Sequence, residues 1–239
     1  MNKTFPDNFR FGVADADLQV IGEDRTRAEE DSQPTMWDYF ARHSGKVFGN
    51  HTPGIGADRY TRWQEDVDIM RRMGLRHYRT SISMSRFLRE NGDVNRKAAE
   101  WYANYFRSLK DAGVSVYATL HHWDIPQQLN EKGGWTNRDI VDIFGKFAGK
   151  VAATLGEYID EYFILNEPWC SSLLSYYEGT HAPGRPTDDA QALPQALLAA
   201  HHLLLAQGVA YQVLREGAPK AKLATSINVQ PAYAYSDKA

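Results

Sequence analysis

Among the acidic side chains of this 239-residue chain, Glu167 has the setting that most invites chemistry. It follows the apolar run Tyr162-Phe163-Ile164-Leu165 and the amide of Asn166. A carboxylate at the end of an apolar strand loses solvation and needs a partner or a task. Burial raises a carboxyl pKa, and a second carboxylate nearby raises it further. A carboxyl tuned in this way can hand a proton to a leaving glycosidic oxygen near neutral pH. Asn166 beside it offers both a donor and an acceptor, suited to a sugar hydroxyl. The plainer alternative is that Glu167 forms an ion pair with Arg79 and nothing more.

Three further clusters have the same character: Asp17-Leu18-Gln19, Arg79-Thr80-Ser81 and His121-His122-Trp123-Asp124. Taken singly, Gln19 reads as a loop residue, Arg79 as half of a structural ion pair, His122 as a satisfied histidine and Trp123 as core. Each cluster, however, follows a β-prone run, and four such sites at equivalent positions argue for one assembled cavity.

The elements that must position them alternate. Residues 9–13 read as a first strand, followed by a long polar loop to about residue 51. Residues 58–73 have helical periodicity, with Trp63, Val67 and Met70 on one side and Gly74 as the stop. Strands are expected at 77–81, 114–120, 162–165 and 223–227, and helices at 97–112, 137–155 and 193–216. This alternation predicts a parallel sheet, with strands apolar on both faces. The natural parent is a (β/α)8 barrel of the TIM type, in which loops after the strands gather the active site. About four and a half of its βα units are present, as one partial domain over residues 1–239. An open doubly wound sheet is the alternative, weakened by the lack of a glycine-rich phosphate turn after the first strand.

Bulk properties narrow the partners. A net charge of −3 with interspersed signs argues against nucleic acid or an anionic membrane. The longest near-apolar stretch, 196–205, is interrupted by His201 and His202 and reads as too short and too polar to span a bilayer. A single cysteine, Cys170, rules out an internal disulfide framework and fits a reducing compartment. The amino terminus lacks the apolar run of a secretory signal, so a cytoplasmic location is expected. Neither His121-His122 nor His201-His202 has the spacing of a helix-borne zinc motif. Six tryptophans and thirteen tyrosines suit a cleft that grips sugar faces.

The segment Phe163-Ile164-Leu165-Asn166-Glu167-Pro168-Trp169-Cys170 closely resembles the acid/base signature of glycoside hydrolase family 1, the β-glucosidase family. Phe9-Arg10-Phe11-Gly12-Val13-Ala14 with Gln19 resembles the family's first strand, and Tyr78-Arg79-Thr80-Ser81-Ile82-Ser83 its second. Leu120-His121-His122-Trp123-Asp124-Ile125-Pro126 with Gly133-Gly134-Trp135 is similar to its third strand and loop, and His181-Ala182-Pro183-Gly184 to the loop after the fourth. The resemblance runs through essentially the whole chain in the family's order. It implies a retaining β-glycosidase in which Glu167 is the general acid/base. Gln19, His122 and Asn166 would bond hydroxyls of the glycone sugar, with Trp123 packing beside them. Arg79 would orient the nucleophilic carboxylate, and Trp169 and Asn228 would line the aglycone side. No metal or cofactor is implied, since both catalytic groups are carboxylic acids.

The resemblance also marks what is missing. A retaining enzyme needs two carboxyls about 5 Å apart. In the family the second lies in an Ile/Val-Thr-Glu-Asn-Gly motif on the seventh strand, which this chain does not contain. Ile21, Leu18 and Met84 stand where the family commonly has glutamate, tyrosine and tryptophan. Strands one and five would be unpaired edges, and a lone half-barrel should be unstable or sticky. Its expected partners are a β-glycoside or monosaccharide, and either a complementary carboxy-terminal half-barrel or further copies of itself. Two other readings stay open. One is a sugar-binding half-barrel without catalysis. The other is an inverting acid working with Asp124 or Glu178 as base, which needs carboxyls about 6.5–9.5 Å apart.

Overall fold

The computed structural model describes residues 4–6, 8–22, 32–52, 54, 56–234 and 236. Five parallel strands lie side by side in chain order. They are β1 (Val13–Ala14), β2 (His77–Ser81), β3 (Ser115–His121), β4 (Glu161–Asn166) and β5 (Lys222–Ser226). Long helices fill the crossovers: α1 (Arg59–Arg72), α2 (Arg96–Asp111), α3 (Asp139–Leu155) and α4 (Ala192–Gly217). A spatial order that never reverses, with a helix in every crossover, is the wall of a (β/α)8 barrel; a doubly wound sheet reverses at a switch point. Among the described residues, nothing pairs with the outer edge of β1 or of β5.

The core fills the layer between sheet and helices. Tyr78, Val116, Ala118, Tyr162 and Ile164 from the strands meet Tyr102, Tyr105, Phe106, Phe144, Phe147 and Val151 from the helices, all fully buried. On α4 the buried stripe is Ala192, Ala196, Ala199, Leu203, Ala206, Ala210 and Leu214, small residues at helical spacing that let α3 approach closely. The contact is tight at Gly145 of α3, where an added Cβ would stand 2.6 Å from Val209 Cγ1.

Four expectations need correction. The first strand is not 9–13 but the two residues Val13–Ala14, because Phe9 and Phe11 turn out to solvent and cluster with Phe5 at centroid distances of 4.4–4.9 Å. The long loop to residue 51 holds a helix, Met36–His43, started by a capping box in which Thr35 Oγ1 accepts from Asp38 N while Asp38 Oδ2 accepts from Thr35 N. The strands are not apolar on both faces: the face turned from the helices carries half-buried His77, Arg79, Tyr117, Glu161 and Phe163. There Tyr117 Oη shares a hydrogen bond with His77 Nδ1 at 2.8 Å and accepts from Arg10 Nη1 at 3.2 Å. Finally, the apolar stretch at 196–205 belongs to a helix long and apolar enough, by length and composition, to cross a membrane. Its buried alanine stripe and its packing on α3 are those of a barrel helix, while Leu193, Leu197, Leu204 and Tyr211 line its exposed side.

Candidate active site

The mouth of the sheet is organised by Asn166, the last residue of β4 and only 2% exposed. A register shift after Phe163 brings Asn166 opposite Ser226 of β5. Its Oδ1 accepts from Arg79 Nη1 of β2 at 2.9 Å, and its backbone oxygen accepts from Trp123 Nε1 beyond β3 at 3.1 Å. One residue thus ties the end of β4 to Arg79 within β2 and to Trp123 just beyond β3. With Oδ1 engaged by Arg79, the Nδ2 group is the part of Asn166 left to donate to a ligand.

Glu167 comes next, with φ at 49°, in the left-handed region that non-glycine residues seldom occupy. Such a conformation costs about 1–3 kcal/mol and persists only where the surroundings hold it. Here its N–H donates to Ser226 O at 2.8 Å, and its backbone oxygen accepts from Cys170 N at 2.8 Å. The side chain is half-buried, and Oε2 accepts from the Cys170 thiol at 3.2 Å. Among the described residues no ion pair within 4.0 Å joins Arg79 to Glu167. The plain ion-pair reading of Glu167 therefore fails in this geometry.

Arg79 is half-buried, with its guanidinium 5.2 Å from the Phe163 ring centroid. Burial lowers its pKa from the ordinary guanidinium range, while the carboxylates of Glu167 and Asp15 pull the other way. His122 sits in the same field. Burial first, then the Arg79 charge, pushes its pKa down to about 4, so the imidazole is neutral near pH 7. Its Nδ1 is buried and bonded to no described group.

Trp123 also has a positive φ, 67°. Its carbonyl accepts from Trp37 Nε1 at 2.7 Å. Its ring lies 5.0 Å from His181 and 5.2 Å from His122, and Trp37 lies 5.5 Å from His181. These rings make an aromatic wall with neutral imidazoles set into it. The His181 pKa is lowered by burial, opposed by Glu167 and then Glu178.

The structure therefore brings Arg79, His122, Trp123, Asn166 and Glu167 together. Gln19 lies exposed on the short helix Asp17–Val20 after β1, and its side chain has no described hydrogen-bond partner. Trp169 is 46% exposed. Asn228 is exposed beyond β5, with Nδ2 at 4.0 Å from Cys170 Sγ. His121 belongs to the core: it bonds Ser171 Oγ at 3.0 Å, packs on Trp135, and burial followed by His122 pushes its pKa down to about 3.

Asp124 does not fit the role of base in an inverting pair. Asp124 is buried against Ser83 Oγ at 3.0 Å, and burial, then Asp38, pushes its pKa up to about 8. It is a protonated structural acid near pH 7. Glu178 is exposed. Among the described residues no three His, Cys, Asp or Glu side chains gather in a way that would hold a metal ion.

Trp37 and Asp15 escaped the sequence reading. Asp15 accepts from Arg59 Nη1, Tyr78 Oη and Thr80 Oγ1 at 2.8–3.0 Å, and its own N–H donates to Arg79 O at 3.0 Å, bracing that strand end. No spacing rule links Asp15 to Arg59 across 44 residues. Cys170, read from the sequence only as a lone cysteine, has a hydrogen-bond partner in Glu167. The three-residue separation at the start of a helical segment was the available sign.

Known proteins resemble this chain in sequence and in fold. The sequence model of glycosyl hydrolase family 1 matches residues 1–239. A β-glucosidase of an Agrobacterium species is 38% identical over 98% of this chain and 49% of its own length. β-Glucosidase A of Acetivibrio thermocellus is 35% identical over 99% and 51%. The AHE enzyme from Alicyclobacillus herbarius superposes with a TM-score of 0.92 at 36% identity, covering 99% of this chain and 52% of that one. The family 1 β-glucosidase from Thermotoga maritima, solved also with castanospermine, gives 0.91 at 32% identity, over 98% of this chain and 51% of that one. The chain spans about half the length of the curated relatives it matches. Its match from first residue to last, on a wall of the same barrel, makes it a member of glycosyl hydrolase family 1.

Proposed function

We propose that this chain supplies the acid/base half of a retaining β-glycosidase, acting on β-glucoside-like substrates. Glu167 is the proton donor and acceptor, and the nucleophilic carboxylate comes from a carboxy-terminal half of the barrel. The observation that carries this reading is the linkage of Arg79, Asn166, Trp123 and Glu167 at one strand-end mouth. The β-glucosidases among its relatives support it.

In the first step the nucleophile attacks the anomeric carbon. The C–O bond to the leaving group breaks, and Glu167 gives its proton to the departing oxygen. In the second step Glu167, now a carboxylate, takes a proton from water as that water attacks the glycosyl-enzyme and frees the sugar. Arg79 holds the nucleophile in register; its guanidinium has only a neutral amide bonded to it among the described residues. Neutral His122 and the Nδ2 of Asn166 bind glycone hydroxyls beside Trp123, with Gln19 closing the glycone side, and Trp169 and Asn228 flank the aglycone.

Joining the chain to a carboxy-terminal half, by co-expression or in a full-length fusion, is expected to produce hydrolysis of aryl β-glucosides. Glu167→Gln should lower kcat/KM at least about 100-fold for poor leaving groups, the scale of general acid catalysis. A properly assembled pair without activity refutes the reading. A second reading, sugar binding without catalysis, is favoured by Arg79, Asn166, Trp123 and His122 already meeting at one mouth in this chain alone. It requires calorimetric heat with glucose and the chain alone; its absence rejects that reading.

A further inference from the structure

Glu167 is held at four points, and two of them run through one neighbour, Cys170. Its backbone oxygen accepts from Cys170 N at 2.8 Å, and its Oε2 accepts from Cys170 Sγ at 3.2 Å. Asn228 Nδ2 approaches the same sulfur at 4.0 Å from the segment after β5. The other two ties are backbone bonds, from Ser171 N to Glu167 O at 3.4 Å and from Glu167 N to Ser226 O at 2.8 Å. Cys170 is buried and is the single cysteine of the chain. Burial, and then the adjoining Glu167, push its pKa up to about 12, so it is a neutral thiol near pH 7, with a hydrogen to give and a lone pair to receive.

We propose that Cys170 is a positioning residue for Glu167: its S–H, donated to Oε2 and backed by the Asn228 amide, fixes the carboxyl plane and leaves Oε1 as the proton-transferring oxygen. A half-exposed glutamate otherwise samples several rotamers, and each wrong one withholds the proton from the leaving group. An S–H···O bond is weak and directional, strong enough to select a rotamer and weak enough for Glu167 to gain and lose its proton in each cycle. Cys170 passes no proton to substrate and forms no bond with it. The proposal rests on the reading of Glu167 as proton donor, and its test separates the two.

The first measurement needs no activity. With one thiol in the chain, the S–H stretching band in the Raman spectrum belongs to Cys170 alone. In Glu167→Ala the acceptor is removed, and the band is expected to move up to the position of a free thiol. A band that stays in place overturns the proposal while leaving the role of Glu167 intact. The second uses the chain joined to its complementary half. Cys170→Ala is expected to lower kcat for poor leaving groups by about three- to tenfold, the worth of one hydrogen bond, with KM unchanged. For an activated leaving group such as dinitrophenolate, which needs no proton, the first step should be unaffected. Cys170→Ser, whose hydroxyl can still donate, should restore most of the loss. An equal loss in the first step for both leaving groups, read from kcat/KM, or no loss for either, overturns the positioning role even if the band moves.

Discussion

Asp124 illustrates how a carboxyl just beyond a strand end is given another task. Enclosed by Ser83 and Ser85, with Oδ1 unpartnered, it keeps its proton up to about pH 8, against an ordinary value of 3.8. Because the folded-state pKa is raised, its contribution to stability is complete below about 3.8 and is lost as pH rises through about 8. Asp124→Asn removes that dependence. Its Tm, compared with the parent, is expected to improve steadily between about pH 4 and pH 8 and to level off above; a pH-independent difference contradicts the assignment. At this scale the sequence was informative where chemistry sits next to a strand end. That Glu167, Asn166, Arg79, His122 and Trp123 would lie together was readable from the strands they lie in or follow. Asp15, Trp37 and the thiol of Cys170 were not, since their value lies in partners fixed by folding: Arg59, the Trp123 carbonyl and Glu167 Oε2.

At the level of elements, periodicity located the helices and middle strands to within a residue or two, because α2 and α3 carry large apolar side chains at regular intervals. It failed at the two ends of the sheet's first unit. Alternating phenylalanines at 5, 9 and 11 imitate a strand yet pair with one another, and the Thr35–Asp38 capping box lay within a stretch too polar to draw notice. The α3–α4 contact gives a clean test of packing. Gly145→Ala forces a methyl against Val209 and should cost about 1–3 kcal/mol in urea unfolding. Adding Val209→Ala should recover much of that loss, the coupling expected of neighbours. Additive losses in the double variant would mean the helices do not meet there.

For the molecule as a whole, open edges on β1 and β5 and the leucine-lined outer side of α4 favour association. The chain by itself is expected to show a mass that rises with concentration in sedimentation experiments, and to settle into a one-to-one complex once its complement is present. A monomer at every concentration would show that these edges are protected. The cavity side of the sheet behaves differently. Arg10, His77, Tyr117 and Glu161 already satisfy one another there, so water can wet that side without prying the strands apart. A wall built this way keeps its hydrogen bonds whether that side is wet or covered. Any barrel closed on this wall keeps a lumen lined by hydrogen-bonding groups rather than a greasy centre.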